Sequence, residues 1–574
     1  VKATPSCFAT LVCATLLTAA AVAEPGRATI ADLVLINGSI YTMNPARDRA
    51  EAIAVRGGRI LYVGTSEGIQ PYIGSSTRRI DLAGKMVLPG FQDVHIHPVS
   101  GGIVYTGCPL FDLDTLEQVL DKVRQCAQDQ PDASHVYGQG WNWGVFVGSD
   151  GPHKQLLDAI DSTRPLVLGD SDGHSLWVNS AALAMAGITA ASADPNGGEI
   201  GREAGGREPD GTLLEGPAMA LVNSRLPAIS DAQKEQALRY TQHYLHSLGI
   251  TAMHDAYVSL TGNEADRALD AYRSFRDKGE LQLRVVAALA WAPGQGMEQI
   301  AALRKARETY SGGRLQANTV KFWADGIIES RTAMLLEPYT DQPDTRGLLM
   351  VPRDELMAAA PLLDAAGFQL HIHAIGDATV RYALDAVEAA IKANGARDSR
   401  HLTAHTQLVH PDDIPRFGRL QVIAGFSPYW AFADSYIKDI NPSQLGPDRM
   451  QQMYPIAGIL ATGGRVAFGS DWFVSTPDPL LAIETAVTRI SPEGDPTPAF
   501  IPTQRISLDQ AIAGYTIDAA YANFLDADTG SLEAGKYADL IVLDRNLFEV
   551  PAADISRARV TATVFEGELV FGGF

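Results

Sequence analysis

The chain has 574 residues, 46% of them hydrophobic and 20% charged, enough apolar content for a large core and too little bias for a disordered or low-complexity protein. Its 46 basic and 67 acidic residues leave a net charge of −21. A surface of that sign repels polyanions, which argues against non-specific nucleic-acid binding and docking on anionic lipid.

The N-terminus carries Lys2, then an apolar run from Cys7 to Val22 that ends in Ala21-Val22-Ala23, small residues where a signal peptidase reads. The pattern predicts a cleaved secretory signal over 1–23 and a periplasmic or secreted mature chain. A membrane anchor is the alternative, but the run is shorter than the ~20 residues that a span needs. Cleavage removes Cys7 and Cys13 and leaves Cys108 and Cys126, which in an oxidising compartment form one disulfide or remain as buried thiols.

Segments 24–88 and 525–574 read as short strands and tight turns. The apolar run 33–36 ends at Asn37-Gly38, Gly57-Gly58 separates two apolar runs, and Ala538-Asp539-Leu540-Ile541-Val542-Leu543-Asp544 echoes the first strand near the other end. Gly-Gly between apolar runs is a hairpin signal, and the two ends together predict one small β-sandwich domain built from both termini.

Segment 89–524 alternates short apolar runs with helical stretches such as 354–366 and 378–393, the pattern of βα units around a parallel sheet. Eight candidate strands fall at 91–97, 249–255, 283–290, 319–325, 368–374, 401–407, 421–427 and 465–471, the number that closes a (β/α)8 TIM barrel. The long gap after the first holds an insertion at about 110–245, in which the Gly-rich stretch 195–211 reads as a surface loop or lid.

Chemistry-bearing residues gather at the C-terminal ends of these strands, the face where such barrels place their sites. Strand 1 ends in His95-Ile96-His97, strand 5 in His371-Ile372-His373, strand 6 runs from His401 to His405, and strand 8 ends in Ser470-Asp471. Alternate residues of a strand share a face, so His95 and His97 can serve one metal, and imidazoles with a carboxylate suit Zn2+ or another divalent ion. Lys321 lies on an inward apolar strand. There it must be paired, neutralised or chemically modified; carbamylation (N6-carboxylation) would make it an anionic bridging ligand, and a plain salt bridge serves equally well on physical grounds.

Leu88-Pro89-Gly90-Phe91-Gln92-Asp93-Val94-His95-Ile96-His97-Pro98 resembles the opening motif of the amidohydrolase superfamily, and Gly530-Ser531-Leu532-Glu533-Ala534-Gly535-Lys536-Tyr537-Ala538-Asp539 resembles its C-terminal sandwich signature. Gly140-Trp141-Asn142-Trp143, the stretches 172–180 and 321–326, and His373-Ala374-Ile375-Gly376-Asp377 are similar to amidohydrolase family 3, which includes N-substituted formamide deformylases. The resemblance implies a site of one or two ions: His95 and His97 on the more buried ion, His373 and His405 on the more exposed one, carbamylated Lys321 between them, and Asp471 as a ligand that also handles protons. His371 is an alternative ligand to His373.

The implied reaction is hydrolysis of a C–N bond, amide, N-acyl or N-formyl, by a hydroxide that the metal makes available near neutral pH. Deamination and ester or lactone hydrolysis on the same site are the alternatives, as is a catalytically silent binding or regulatory protein. His174, from the insertion, is a candidate oxyanion donor or a plain loop histidine. His254 and Asp325 would orient metal ligands by hydrogen bonding. Trp141, Trp143, Trp323, Tyr429, Trp430 and Trp472 would line an apolar pocket or serve as core, and Arg331 would meet a substrate carboxylate or an acidic group of the protein. The partner expected is a small-molecule substrate, without nucleic acid and without membrane after signal cleavage; a homo-oligomer stays open.

Overall fold

The computed structural model describes residues 30–574 except 112, 147–150, 172, 174, 196–197, 262–266 and 495–497. Residues 1–23, expected as a signal, and His174 therefore lie outside the described residues.

An eight-stranded sheet forms the centre, with all its ladders parallel and its strands in chain order. Its members are β1 (Phe91–Ile96), β2 (Ile250–Val258), β3 (Arg284–Ala290), β4 (Leu315–Trp323), β5 (Gln369–Ala374), β6 (Leu402–His405), β7 (Ile423–Phe426) and β8 (Arg465–Phe468). Each falls within a few residues of its sequence expectation. These strands are near-continuous apolar runs because helices cover the outer face and side chains fill the interior, so neither face meets water. Helices Arg353–Ala365 and Asp377–Asn394 occupy the two stretches expected from helical periodicity.

No regular ladder joins β8 to β1. Closure comes instead from the chain just beyond β8: the Asp471 amide donates to the His95 carbonyl at 2.7 Å, and the His97 amide donates to the Trp472 carbonyl at 2.7 Å. The barrel is thus shut at its C-terminal end.

Both chain ends build the peripheral sheets. Leu540–Leu543 pairs antiparallel with Met86–Pro89, in a six-stranded sheet that also holds Ser39–Tyr41 and Val560–Phe565. A four-stranded sheet centred on Leu33–Ile36 and Ala52–Arg56 faces it, and Leu35, Ile53, Val87, Leu540 and Val542 share one buried core. The Gly57-Gly58 turn has φ of 55° and 78°, the doubly positive geometry that a tight hairpin demands. The unit is pinned to the barrel by buried Arg284, which reaches Asp539 at 3.0 Å and Glu566 at 2.9 Å.

The insertion forms its own six-stranded mixed sheet. The stretch expected as a loop or lid is instead largely an edge hairpin, Glu199–Arg202 against Pro209–Leu214. Backbone ladder bonds outweigh its glycine content, and Gly205, with φ 71°, sits in the turn. Thr115 and Gln118 make a reciprocal capping box that starts helix Leu116–Asp129. That helix carries Cys126 into a disulfide with Cys108, Cα atoms 5.6 Å apart. Among the described residues no helix is long and apolar enough to cross a membrane.

Two outcomes follow from these contacts. Reducing the disulfide, or Cys126→Ser, should cost ~2–4 kcal/mol, read as a lower melting temperature of the insertion; unchanged melting would show that the bridge carries no stability. Burial lowers the His246 pKa to about 4, against the opposing effect of its hydrogen bond to the Gln282 carbonyl. The unfolded chain therefore binds a proton that the folded one refuses, so His246 costs no stability above pH ~6.5 and up to roughly 3 kcal/mol as pH falls from there to about 4. His246→Gln should flatten that limb of a pH–stability curve measured by urea unfolding.

Candidate active site

Strand alternation and register bring the site together. Asp93, His95 and His97 are spaced by two along and just past β1; in the adjoining ladders Lys321 pairs with His371, Trp323 with His373, and Ala374 with His405. His405 and Asp471 have φ of 70° and 57°, a left-handed conformation uncommon for such residues and concentrated at functional sites. Both turn out of the strand direction at the barrel mouth.

Two imidazole nitrogens converge on one carboxylate oxygen. His97 Nε2 lies 3.1 Å and His95 Nε2 3.5 Å from Asp471 Oδ1, and the three residues offer ligand atoms within 4.8 Å of one another. Lys321 Nζ stands 3.4 Å from His95 Nε2, and His405 Nδ1 stands 4.0 Å from Asp471 Oδ2. His405 Nδ1 is buried and has no hydrogen-bond partner among the described residues. An orphaned imidazole nitrogen beside two others and a carboxylate is a donor set that fits a divalent cation.

The His373 ring is 4.6 Å from that of His405. Its Nε2 is taken by the Gly326 carbonyl at 3.2 Å, with Asp325 Oδ1 at 3.5 Å, so its Nδ1 is the nitrogen left for a ligand. Asp325 accepts the amides of Met334, Ile375 and Gly376 and thereby ties the loop after β4 to the end of β5. His254 lies deeper: its ring meets that of His371 at 4.8 Å, and His371, not His254, touches a site histidine.

Burial dominates the electrostatics. It holds His95 and His373 well below the ordinary histidine range, and brings His405 to about 4 and His254 to about 3, so these rings stay neutral. Burial pulls Lys321 down to about 7 while Asp471 pulls the other way. Burial would raise Asp471 too, but the His97 side chain, with His405 and Lys321 close by, overcomes it and keeps this carboxylate ionised. His97 in turn is raised by Asp471 in spite of its own desolvation.

Several expected pocket residues lie elsewhere. Trp141 is completely buried in the insertion core, its indole N–H donated to the Leu168 carbonyl at 2.9 Å; Trp143 is exposed and packs edge-on against it. Trp472 is also fully buried, against Tyr105 and Tyr244, because its backbone belongs to the closure seam. Arg331 pairs with Asp341 at 2.5 Å, the protein-acid alternative. Tyr429 donates to Glu493 at 2.7 Å, and its neighbour Trp430 is the one that stacks on His405, at 5.5 Å and 10°. Trp323 is 53% exposed, 5.9 Å from the His373 ring.

Sequence reasoning missed Asp93 and Asp255. Asp93 accepts the His95 and Ser470 amides and burial raises its pKa to about 7; its place two residues before His95 was the available signal. Asp255 accepts the Tyr272 hydroxyl at 2.7 Å and its charge helps raise His97, a role that spacing does not disclose. Gly469 lets the chain past β8 approach: a methyl there would lie 2.6 Å from the backbone nitrogen of His95. Gly469→Ala should therefore destabilise the fold by ~1–3 kcal/mol and weaken metal retention, read by denaturant unfolding and metal analysis; a variant unchanged in both would show that the seam tolerates a side chain.

This geometry agrees with what the chain resembles. It is 32% identical over 552 residues, 95% of this chain and 93% of the other, to Protein LONG AFTER FAR-RED 3 of Arabidopsis thaliana. It is 27% identical over 544 residues, 94% of this chain and 98% of the other, to the N-substituted formamide deformylase of Arthrobacter pascens. An uncharacterized metal-dependent hydrolase from Pyrococcus furiosus superposes with a TM-score of 0.71 at 26% identity, over 90% of this chain and 99% of the other. The model of the amidohydrolase family matches residues 78–571, and the chain belongs to that family.

Proposed function

We propose that this metal-dependent hydrolase of C–N bonds cleaves the amide of N-acyl or N-formyl amines whose substituent is apolar. The observation that carries the reading is the convergence of His95 Nε2 and His97 Nε2 on Asp471 Oδ1 at 3.5 and 3.1 Å. Those three residues would hold the ion, zinc by the chemistry of the donors, and His405 with His373 would offer nitrogens to a second. Such an ion supplies Lewis acidity toward a carbonyl and makes water a nucleophile near neutral pH.

The protein's own groups supply the remaining steps. Asp471, held ionised, accepts on its Oδ2 the proton of the attacking water and returns it to the nitrogen of the departing amine, work that a placed carboxylate does ~10²–10⁴-fold better than solvent. Lys321, drawn by burial to about 7, spends much of its time as a free amine; that amine adds to carbon dioxide with loss of a proton, giving a carbamate that would replace a buried cation with an anion facing the ion site. Trp323 beside His373 and Trp430 over His405 offer flat apolar walls to the substituent and shield the reacting bond from bulk water. The formamide named for the Arthrobacter pascens relative supports the same substrate class. Export to an oxidising compartment belongs to this reading, supported by the Cys108–Cys126 bridge and checked by whether the mature protein's mass begins at Glu24.

Zinc-loaded protein should hydrolyse N-substituted formamides and N-acyl amines faster than acyl-amino acids, cyclic ureas or lactones. Chelation should abolish the activity and zinc restore it. Lys321→Ala should lower metal content and rate by at least ~10-fold, with partial rescue by short carboxylic acids. Chelator-resistant turnover would overturn the metal reading, a preference for lactones the substrate reading, and unchanged metal content in Lys321→Ala would remove the lysine from the site.

A further inference from the structure

His371 is fully buried on β5, one alternation deeper in the barrel than His373. Its Nε2 lies 2.8 Å from His95 Nδ1, while His95 Nε2 faces Asp471 and Lys321. The two nitrogens of one imidazole diverge, so His371 stands behind the His95 ring and the cation site in front of it. On its far side His371 meets the edge of His254 at 4.8 Å, and its Nδ1 has no hydrogen-bond partner among the described residues.

A ligating imidazole must present a lone pair, so the other ring nitrogen must carry the proton and donate it. For His95 Nε2 to serve as ligand, Nδ1–H must donate to His371 Nε2, which requires His371 to carry its own proton on Nδ1. Of the two tautomer pairs that this contact allows, one is competent to bind a metal. A carboxylate or carbonyl usually takes the donated proton; here a neutral ring does so, in a cavity where Asp471 already provides a negative charge.

We infer that His371 is a positioning residue, which fixes the His95 ring and its tautomer with Nε2 turned to the cation, and is not itself a ligand. The inference rests on the metal reading of the preceding subsection.

The test compares His371→Leu, which removes the acceptor, with His371→Gln, whose side-chain oxygen can still take the His95 proton. Zinc dissociation constants by chelator competition, zinc stoichiometry and the melting temperature of the metal-free protein are measured on each full-length variant. The expected result is zinc binding weaker by ~10–100-fold in His371→Leu, most of it recovered in His371→Gln, with unchanged stoichiometry in both. Loss of one equivalent of zinc in both variants would make His371 a ligand and overturn the inference. So would wild-type affinity in His371→Leu alongside a lowered metal-free melting temperature, the mark of a purely structural residue. If His371→Leu does not fold, His371→Asn, too short to reach Nδ1, takes its place with the same expectation. Wild-type protein that takes up no zinc would defeat the metal reading itself, whereas normal wild-type binding with unchanged variants defeats only this inference.

Discussion

The hydrogen bond from the Asp471 amide to the His95 carbonyl does two jobs at once. It closes the barrel where no regular ladder runs between the first and last strands, and it holds the carboxylate of one residue against the imidazole of the other. Asp93 doubles the tie by accepting amides from both sides of the seam. Stability and chemistry therefore share a joint: a strand pair that slips by one residue would turn His95 and Asp471 away from the interior together.

Burial then decides the charge states. Burial presses His95, His373 and His405 toward their neutral forms and Lys321 toward a free amine, while Asp471 raises His97. Asp471 resists because His97, His405 and Lys321 surround it. Neutral nitrogens, a neutralised amine and one ionised carboxylate are the protonation states that binding a cation requires, and every group but His97 already leans toward them in the folded chain. Folding does in advance what a flexible site would have to do at the cost of metal affinity.

The rest of the molecule supports that arrangement from a distance. The terminal sandwich grips the barrel through Arg284, Asp539 and Glu566, while the disulfide-clipped insertion buries Trp141 and Trp177 in its own core. Aromatic residues at the mouth are few and specific: Trp323 and Trp430 face the histidines, while Trp141 and Trp472 hold secondary structure together.

The eight strands and the histidines and Asp471 that meet at the barrel mouth were legible in the sequence because strand periodicity and the position of a residue at a strand end are local properties. The fate of the aromatic residues was not, because a tryptophan reads the same whether it packs or binds, and only the neighbours brought by the fold distinguish the two. The Gly-rich stretch 195–211 misled for a different reason: its glycines read as loop, whereas Glu199–Arg202 and Pro209–Leu214 pair as a hairpin that joins the insertion sheet through Ser175–Val178. Asp93 and Asp255 owe their roles partly to groups elsewhere in the fold, the Ser470 amide just past β8 and the Tyr272 hydroxyl on helix Leu269–Lys278, and His371 stands behind His95 across 276 positions of chain. Contacts of that range are fixed by register and closure, which no single stretch of sequence encodes.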